Sequence, residues 1–146
     1  TFISRIMKEK GIDQYLDAAE AMKGRNVEFH VCGFCEPEYD GRLQEEDKEG
    51  VVKYHGMIRD VTGFMGDMHC IIHPTYYPEG ISNVLLEACA TGRPIITTDR
   101  SGCREVVDDG TNGYMIPCQS SEGLSQNVRI VVLDSCLFSD ALTPIP

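Results

Sequence analysis

The chain has 146 residues, a quarter of them charged, and a formal net charge of −10. That length suits one domain with a sizeable core, and that charge argues against nucleic acid or an anionic membrane surface as a general partner. No apolar run reaches the roughly 18–20 residues needed to span a bilayer, and the start lacks the anatomy of a signal peptide.

In chain order, FISRI reads as the end of a strand. GIDQYLDAAEAMKG reads as a helix with Ile12, Tyr15, Leu16, Ala19 and Met22 on one face. VEFHVCG is strand-like, and a helix is expected from about Glu38 to Glu49. VVKYHG is the next strand, VTGFMGDM a short helix, and HCIIHP an apolar run stopped by proline, the pattern of a buried parallel strand. A loop and a helix follow in PTYYPEGISNVLLEACATG. PIITTD is another buried strand, CREVVDDG a short helix ended by glycine, and TNGYMIP a turn with a last strand.

Strands alternating with helices at this cadence predict an α/β fold, a parallel sheet with helices on both faces. Ligands of such sheets bind at the carboxyl ends of the strands, where the winding direction reverses. Arg5, the loop at Gly33, the segment HGMIR and Glu79 all fall just after strands. After Pro117 the cadence fails: SEGLSQNVRIVVL has helical character, and DSCLFSDALTPIP has no convincing period. Residues 1–117 are therefore read as the domain and 118–146 as an atypical tail, helical and then irregular. Because the first residues already lie inside a strand, the chain reads as a fragment.

Seven cysteines, mostly in apolar runs, read as reduced, small buried hydrophobes. Cys32 and Cys35 form a CxxC, but a zinc site would want a second pair, and a redox motif would open a helix rather than close a strand. His30 and His69 read as structural, His55 stays ambiguous, and His73 reads as a hydrogen-bonded residue at a strand end.

Two glutamates, Glu79 and Glu87, bracket the start of the helix in EGISNVLLE. With Ser82 as N-cap, Val84, Leu85, Ala88 and Thr91 form the buried stripe, and Asn83 and Glu87 share another face. Glu79 points the same way. Eight residues of helical rise span about 12 Å, too far for one proton-transfer site. The spacing suits a ligand with hydroxyls at both ends and an anion in the middle, since a helix N-terminus attracts anions and carboxylates accept hydroxyl hydrogen bonds. In SRIMKEKG, Arg5 and Lys10 can offset two phosphates. A nucleotide sugar has this layout.

The segment from His73 to Pro117 resembles the nucleotide-sugar-binding half of retaining family-4 glycosyltransferases of the GT-B fold. EGISNVLLE resembles that family's E-x7-E motif and SRIMKEKG its R-x4-K element, and the likeness runs from about Phe2 to Pro117. The resemblance implies one Rossmann-like half of a two-domain enzyme. Glu79 would contact donor-sugar hydroxyls near the reacting centre, and Glu87 the ribose hydroxyls. Arg5 and Lys10 would hold the diphosphate and the departing nucleotide. The backbone at Ile81, Ser82, Asn83 and Val84 would contact sugar and phosphate, Gly80 would allow close approach, and Met57 in the Gly56–Arg59 loop would flank the base.

The resemblance further implies no metal and no cofactor, a donor of the UDP type carrying a hexose or N-acetylhexosamine, and an acceptor that is a glycan or lipid-linked. It implies a place in surface-polysaccharide synthesis in the cytoplasm, peripheral at the inner membrane face. The partner it implies is an N-terminal acceptor-binding domain absent from this chain, so the chain alone is expected to bind donor weakly and to transfer nothing. Two alternatives stand beside it: a GT-B UDP-sugar epimerase, and a non-catalytic or remnant nucleotide-binding α/β module.

Overall fold

Neighbouring residues along the strands turn to opposite faces and so meet different partners. In the computed structural model, which describes residues 1–134, the strands are β1 (Phe2–Ile3), β2 (His30–Cys32), β3 (Lys53–Tyr54), β4 (Ile71–His73), β5 (Ile95–Thr98) and β6 (Gly113–Ile116). Phe2, Val31, Ile72, Ile96 and Ile116 join one buried cluster, while Ile3, Cys32, Ile71 and Ile95 join a second. The first is covered by α1 (Ile12–Ala21), α2 (Pro37–Lys48) and α5 (Ser121–Leu133), the second by α3 (Val61–Gly66) and α4 (Asn83–Ala90). Each large side chain withdrawn from water in this way contributes about 1.5–3 kcal/mol, which is why runs such as IIH and IITT are apolar on both faces.

All strand pairs are parallel. β1-β2-β3 and β4-β5-β6 form two three-stranded sheets. They meet along β1 and β4, where the Thr1 nitrogen donates to the Cys70 carbonyl at 2.7 Å and the Ile72 N–H donates to the Thr1 carbonyl at 2.8 Å. That staggered pair of bonds is the parallel pattern, and it gives the spatial order β3-β2-β1-β4-β5-β6. The winding reverses between β1 and β4, so the crevice at the carboxyl ends opens between the loops that follow these two strands.

Two expectations change. CREVVDDG is a series of turns rather than a helix. The Asn112 side chain explains this: its Oδ1 accepts the Asp108 N–H at 2.8 Å and its Nδ2 donates to the Val106 carbonyl at 3.0 Å, so the backbone closes on a side chain instead of on another turn of helix. The segment set apart after Pro117 enters the main core, because Leu124, Val128 and Val131 recur at helical spacing and pack in the α1 cluster. The Ser120 hydroxyl caps α5 by accepting the Gly123 N–H at 3.0 Å. Residues from 135 onward, read as irregular, lie outside the described residues. Among the described residues no helix is long and apolar enough to cross a membrane.

Candidate functional site at the crossing of the first and fourth strands

The loops after β1 and β4 are built against each other. A 3-10 turn, Lys8–Lys10, ends at Gly11, whose φ is +82° and whose missing side chain leaves room for the Pro74 carbonyl; a Cβ there would overlap it. The Tyr76 N–H donates to the Glu9 carbonyl at 2.8 Å. Thr97 Oγ1 donates to the His73 carbonyl at 2.8 Å, and the Tyr77 N–H donates to Thr75 Oγ1 at 3.2 Å. Gly102, with φ +90°, lies directly beneath the Glu79 and Gly80 carbonyls. The hydroxyls of Thr97 on β5 and of Thr75 in the loop after β4, with two glycines, therefore shape the turn that carries Glu79.

On that frame Lys10 and Glu79 pair, with Nζ donating to Oε1 at 2.7 Å. The Lys10 ammonium also stands 4.9 Å from the centre of the ring of Tyr77, an exposed tyrosine. Arg5 sits at the same end of β1, but its guanidinium turns to Glu36 and stacks 5.8 Å from the Phe34 ring centre. Arg5, Gly33, Met57 and Val84 share the wall of an open cleft of about 410 Å³. Ser82 stands at the N-cap of α4, yet its side chain makes no capping bond, so the first-turn N–H groups of Asn83, Val84 and Leu85 carry no side-chain cap.

Other expected residues fall differently. Glu87 faces solvent: at 100° per residue, Leu85 and Ala88 point inward and Glu87 away from them. Gly80, Ile81 and Asn83 are exposed and Ser82 and Val84 half-buried, and of these Val84 lines the cleft. A larger hollow, about 660 Å³, opens at the amino ends of the strands among Glu28, His30, Cys70 and Arg93, and holds none of the expected site residues. Cys32 is buried, which pushes its thiol up to about 11, and among the described residues no three His, Cys, Asp or Glu side chains could hold a metal ion.

His73 is the correction of most consequence. It is 1% exposed, and neither ring nitrogen has a hydrogen-bond partner; Glu79 Oε1 lies 3.9 Å from Nε2. Leaving a buried polar group unpaired costs about 1–3 kcal/mol. Burial, with the Lys10 charge beside it, pulls the ring's pKa down to about 4, while Glu79 opposes that shift. The ring is neutral at pH 7. The one signal in the sequence was a histidine at a buried strand end immediately before the loop. Glu36 gave no signal at all, since only folding brings it to Arg5. Arg104 pairs with Asp99 at 3.2 Å, not with Glu105, whose carboxylate accepts the Gly102 N–H at 2.6 Å.

A conserved-domain model described as "Glycosyl transferases group 1" matches residues 1–134. The capsular polysaccharide biosynthesis glycosyltransferase CapM of Staphylococcus aureus is 27% identical over 143 residues, 93% of this chain and 37% of that protein. The alpha-D-kanosaminyltransferase of Streptomyces kanamyceticus is 29% identical over 130 residues, 80% of this chain and 31% of that protein. The chain thus spans about a third of the length of the curated relatives it matches. Among solved structures, Anabaena HepE in complex with UDP-glucose superposes with a TM-score of 0.83 at 24% identity, over 97% of this chain and 42% of that one. The C-terminal domain of LpcC, a group 1 glycosyl transferase from Francisella tularensis, superposes at 0.82 with 22% identity, over 98% of this chain and 79% of that one. The α/β fold with its parallel sheets flanked by helices is that of GT-B glycosyltransferases, and the chain belongs to the group 1 glycosyl transferase family.

Proposed function

We propose that this chain is the donor-binding, C-terminal half of a retaining family-4 glycosyltransferase that takes a hexose or N-acetylhexosamine from a UDP sugar. One observation carries the reading: Lys10 and Glu79, from two different loops, meet at 2.7 Å where the winding reverses, beside the uncapped N-terminus of α4. In this reading the diphosphate lies against the α4 amides between Arg5 and Lys10, which take up the negative charge released as the sugar–phosphate bond breaks. Glu79 accepts from sugar hydroxyls. Glu87, exposed one turn beyond Asn83, leaves both oxygens open to the ribose, and Gly80 to Val84 line the path between them. Met57, 73% exposed on the cleft wall, flanks the base. Two cations and the helix end supply the positive charge, so the reading asks for no metal and no cofactor.

The acceptor, a glycan or lipid-linked one, would be bound by an N-terminal domain, with the enzyme working at the cytoplasmic face of the membrane. Support comes from CapM, named for capsular polysaccharide biosynthesis, and from HepE, solved with UDP-glucose. The test is a two-dimensional amide NMR titration of the 146-residue chain with UDP, UDP-glucose and GDP-mannose. Weak, saturable binding of the UDP compounds should move signals at Arg5–Gly11, Gly56–Arg59 and Tyr76–Val84, with no turnover of the donor. Shifts scattered elsewhere, or none at millimolar ligand, would overturn it.

A further inference from the structure

We infer that His73 is a positioning residue for Glu79, a neutral Nε2–H donor that takes over the carboxylate when Lys10 turns to the diphosphate. The inference rests on the donor-site reading above. Lys10 and the imidazole approach the same oxygen: Nζ is 2.7 Å from Glu79 Oε1 and His73 Nε2 is 3.9 Å from it. The lysine cannot serve the carboxylate and a phosphate equally, because a diphosphate brings more charge to it than Glu79 does. Once Lys10 moves, Glu79 would be left half-buried without that partner, and the unpaired His73 Nε2 stands 3.9 Å from its Oε1.

The histidine is held ready for this. Its backbone is fixed by Thr97 Oγ1, and the turn bearing Glu79 rests on Gly102, so only the glutamate side chain has to close the gap of about 1 Å to hydrogen-bond distance. Two unpaired nitrogens in a 1%-exposed ring are otherwise a liability, one that an aliphatic side chain at this position would not carry. Being uncharged, the ring can hold one carboxylate oxygen without neutralising it, which leaves the other to accept from the sugar. The donation requires the Nε2–H tautomer and leaves Nδ1 without a proton. The consequence is selective: His73 acts on the sugar-bearing nucleotide and not on the bare one.

The test compares dissociation constants for UDP and UDP-glucose in the wild-type chain, His73→Leu and His73→Gln, alongside nitrogen NMR of the His73 ring. His73→Leu should weaken UDP-glucose about tenfold, the scale of one hydrogen bond to a charged group, while UDP changes less than about twofold. His73→Gln places an amide N–H near the position of Nε2 and should restore most of the loss. The wild-type ring should carry its proton on Nε2 at pH 7, and its Nε2 signal should move when UDP-glucose is added but not with UDP. Equal weakening of both nucleotides by His73→Leu, or no rescue by glutamine, would make His73 a packing residue and end the proposal. So would a proton on Nδ1, or a wild-type chain that gains nothing from the glucose. If the wild-type chain binds neither nucleotide, the donor-site reading fails, and the ring still decides the local claim. An Nε2–H signal unmoved by Glu79→Gln would then refute it.

Discussion

Acid should destabilise this domain through His73 before its carboxylates are protonated. In the fold, burial and the Lys10 charge hold the ring's pKa down to about 4, against 6.5 in an unfolded chain. A base held low in the fold takes its proton first in the unfolded state. The fold is therefore unaffected above about pH 6.5, loses stability as the pH falls toward about 4, and bears the full penalty below that. The slope within the window approaches about 1.4 kcal/mol per pH unit, and the whole shift amounts to about 3 kcal/mol. Between pH 7 and pH 5 the loss from this one ring is about 2 kcal/mol. Urea unfolding of the wild-type chain and of His73→Leu at both pH values isolates it, because the remaining titrations are common to the two proteins and cancel in the difference. The wild type should lose about 2 kcal/mol more than the variant over that interval. Equal losses, or a ring that titrates near 6.5 by NMR, would refute the reasoning from burial.

Glu36→Gln should release Arg5 from its ion pair and tighten UDP binding by about two- to fivefold, at a stability cost below about 1 kcal/mol because the Arg5 side chain is largely exposed; calorimetry that finds weaker binding would mean Glu36 positions Arg5 rather than competing for it. Gly102→Ala would drive a Cβ into the Gly80 carbonyl at a φ of +90°, and should cost about 1–3 kcal/mol together with UDP-glucose affinity. Gly110→Ala, at φ +83° with open space around it, should cost only the backbone strain, about 1 kcal/mol, and leave binding unchanged in the same titration. Leu124→Ala in α5 should destabilise by about 2–5 kcal/mol in urea, and Leu16→Ala in α1 should do the same, because both side chains are fully buried in one cluster. A loss under about 1 kcal/mol would place α5 outside the cooperative core.

The order of strands and helices was legible because each buried strand is apolar on both faces and each helix carries one stripe; Tyr15, Leu16 and Ala19 recur as a helix requires and are buried together. The meeting of the loops after β1 and β4 was legible too, since Arg5 and Glu79 both follow strands and topology alone brings those loops to one crevice. What could not be read was which charge meets which. Lys10 reaches Glu79 across 69 residues of chain and Arg5 reaches Glu36 across the neighbouring strand, and no spacing rule encodes either pairing. Helical periodicity could place Glu87 on a face but not say whether that face is covered; here it is open to solvent. The turns in CREVVDDG were hidden for a related reason: a side chain outside the segment, Asn112, takes the backbone groups a helix would have used.

The same limit explains His73. A histidine in an apolar strand looks the same in sequence whether its ring is satisfied or orphaned, and only the three-dimensional count of partners separates a packing residue from one held in reserve. The orphaned ring and the Lys10–Glu79 pair belong to one device. In this fold the lysine keeps the carboxylate occupied, while burial first, and the lysine's charge second, keeps the imidazole neutral. Moving that single ammonium changes the hydrogen-bonding needs of both acid and base at once. In the proposed reading, an anion that draws Lys10 away would also free Glu79 to engage the other end of the same ligand, so that phosphate and sugar would be recognised as a unit rather than as two independent sites.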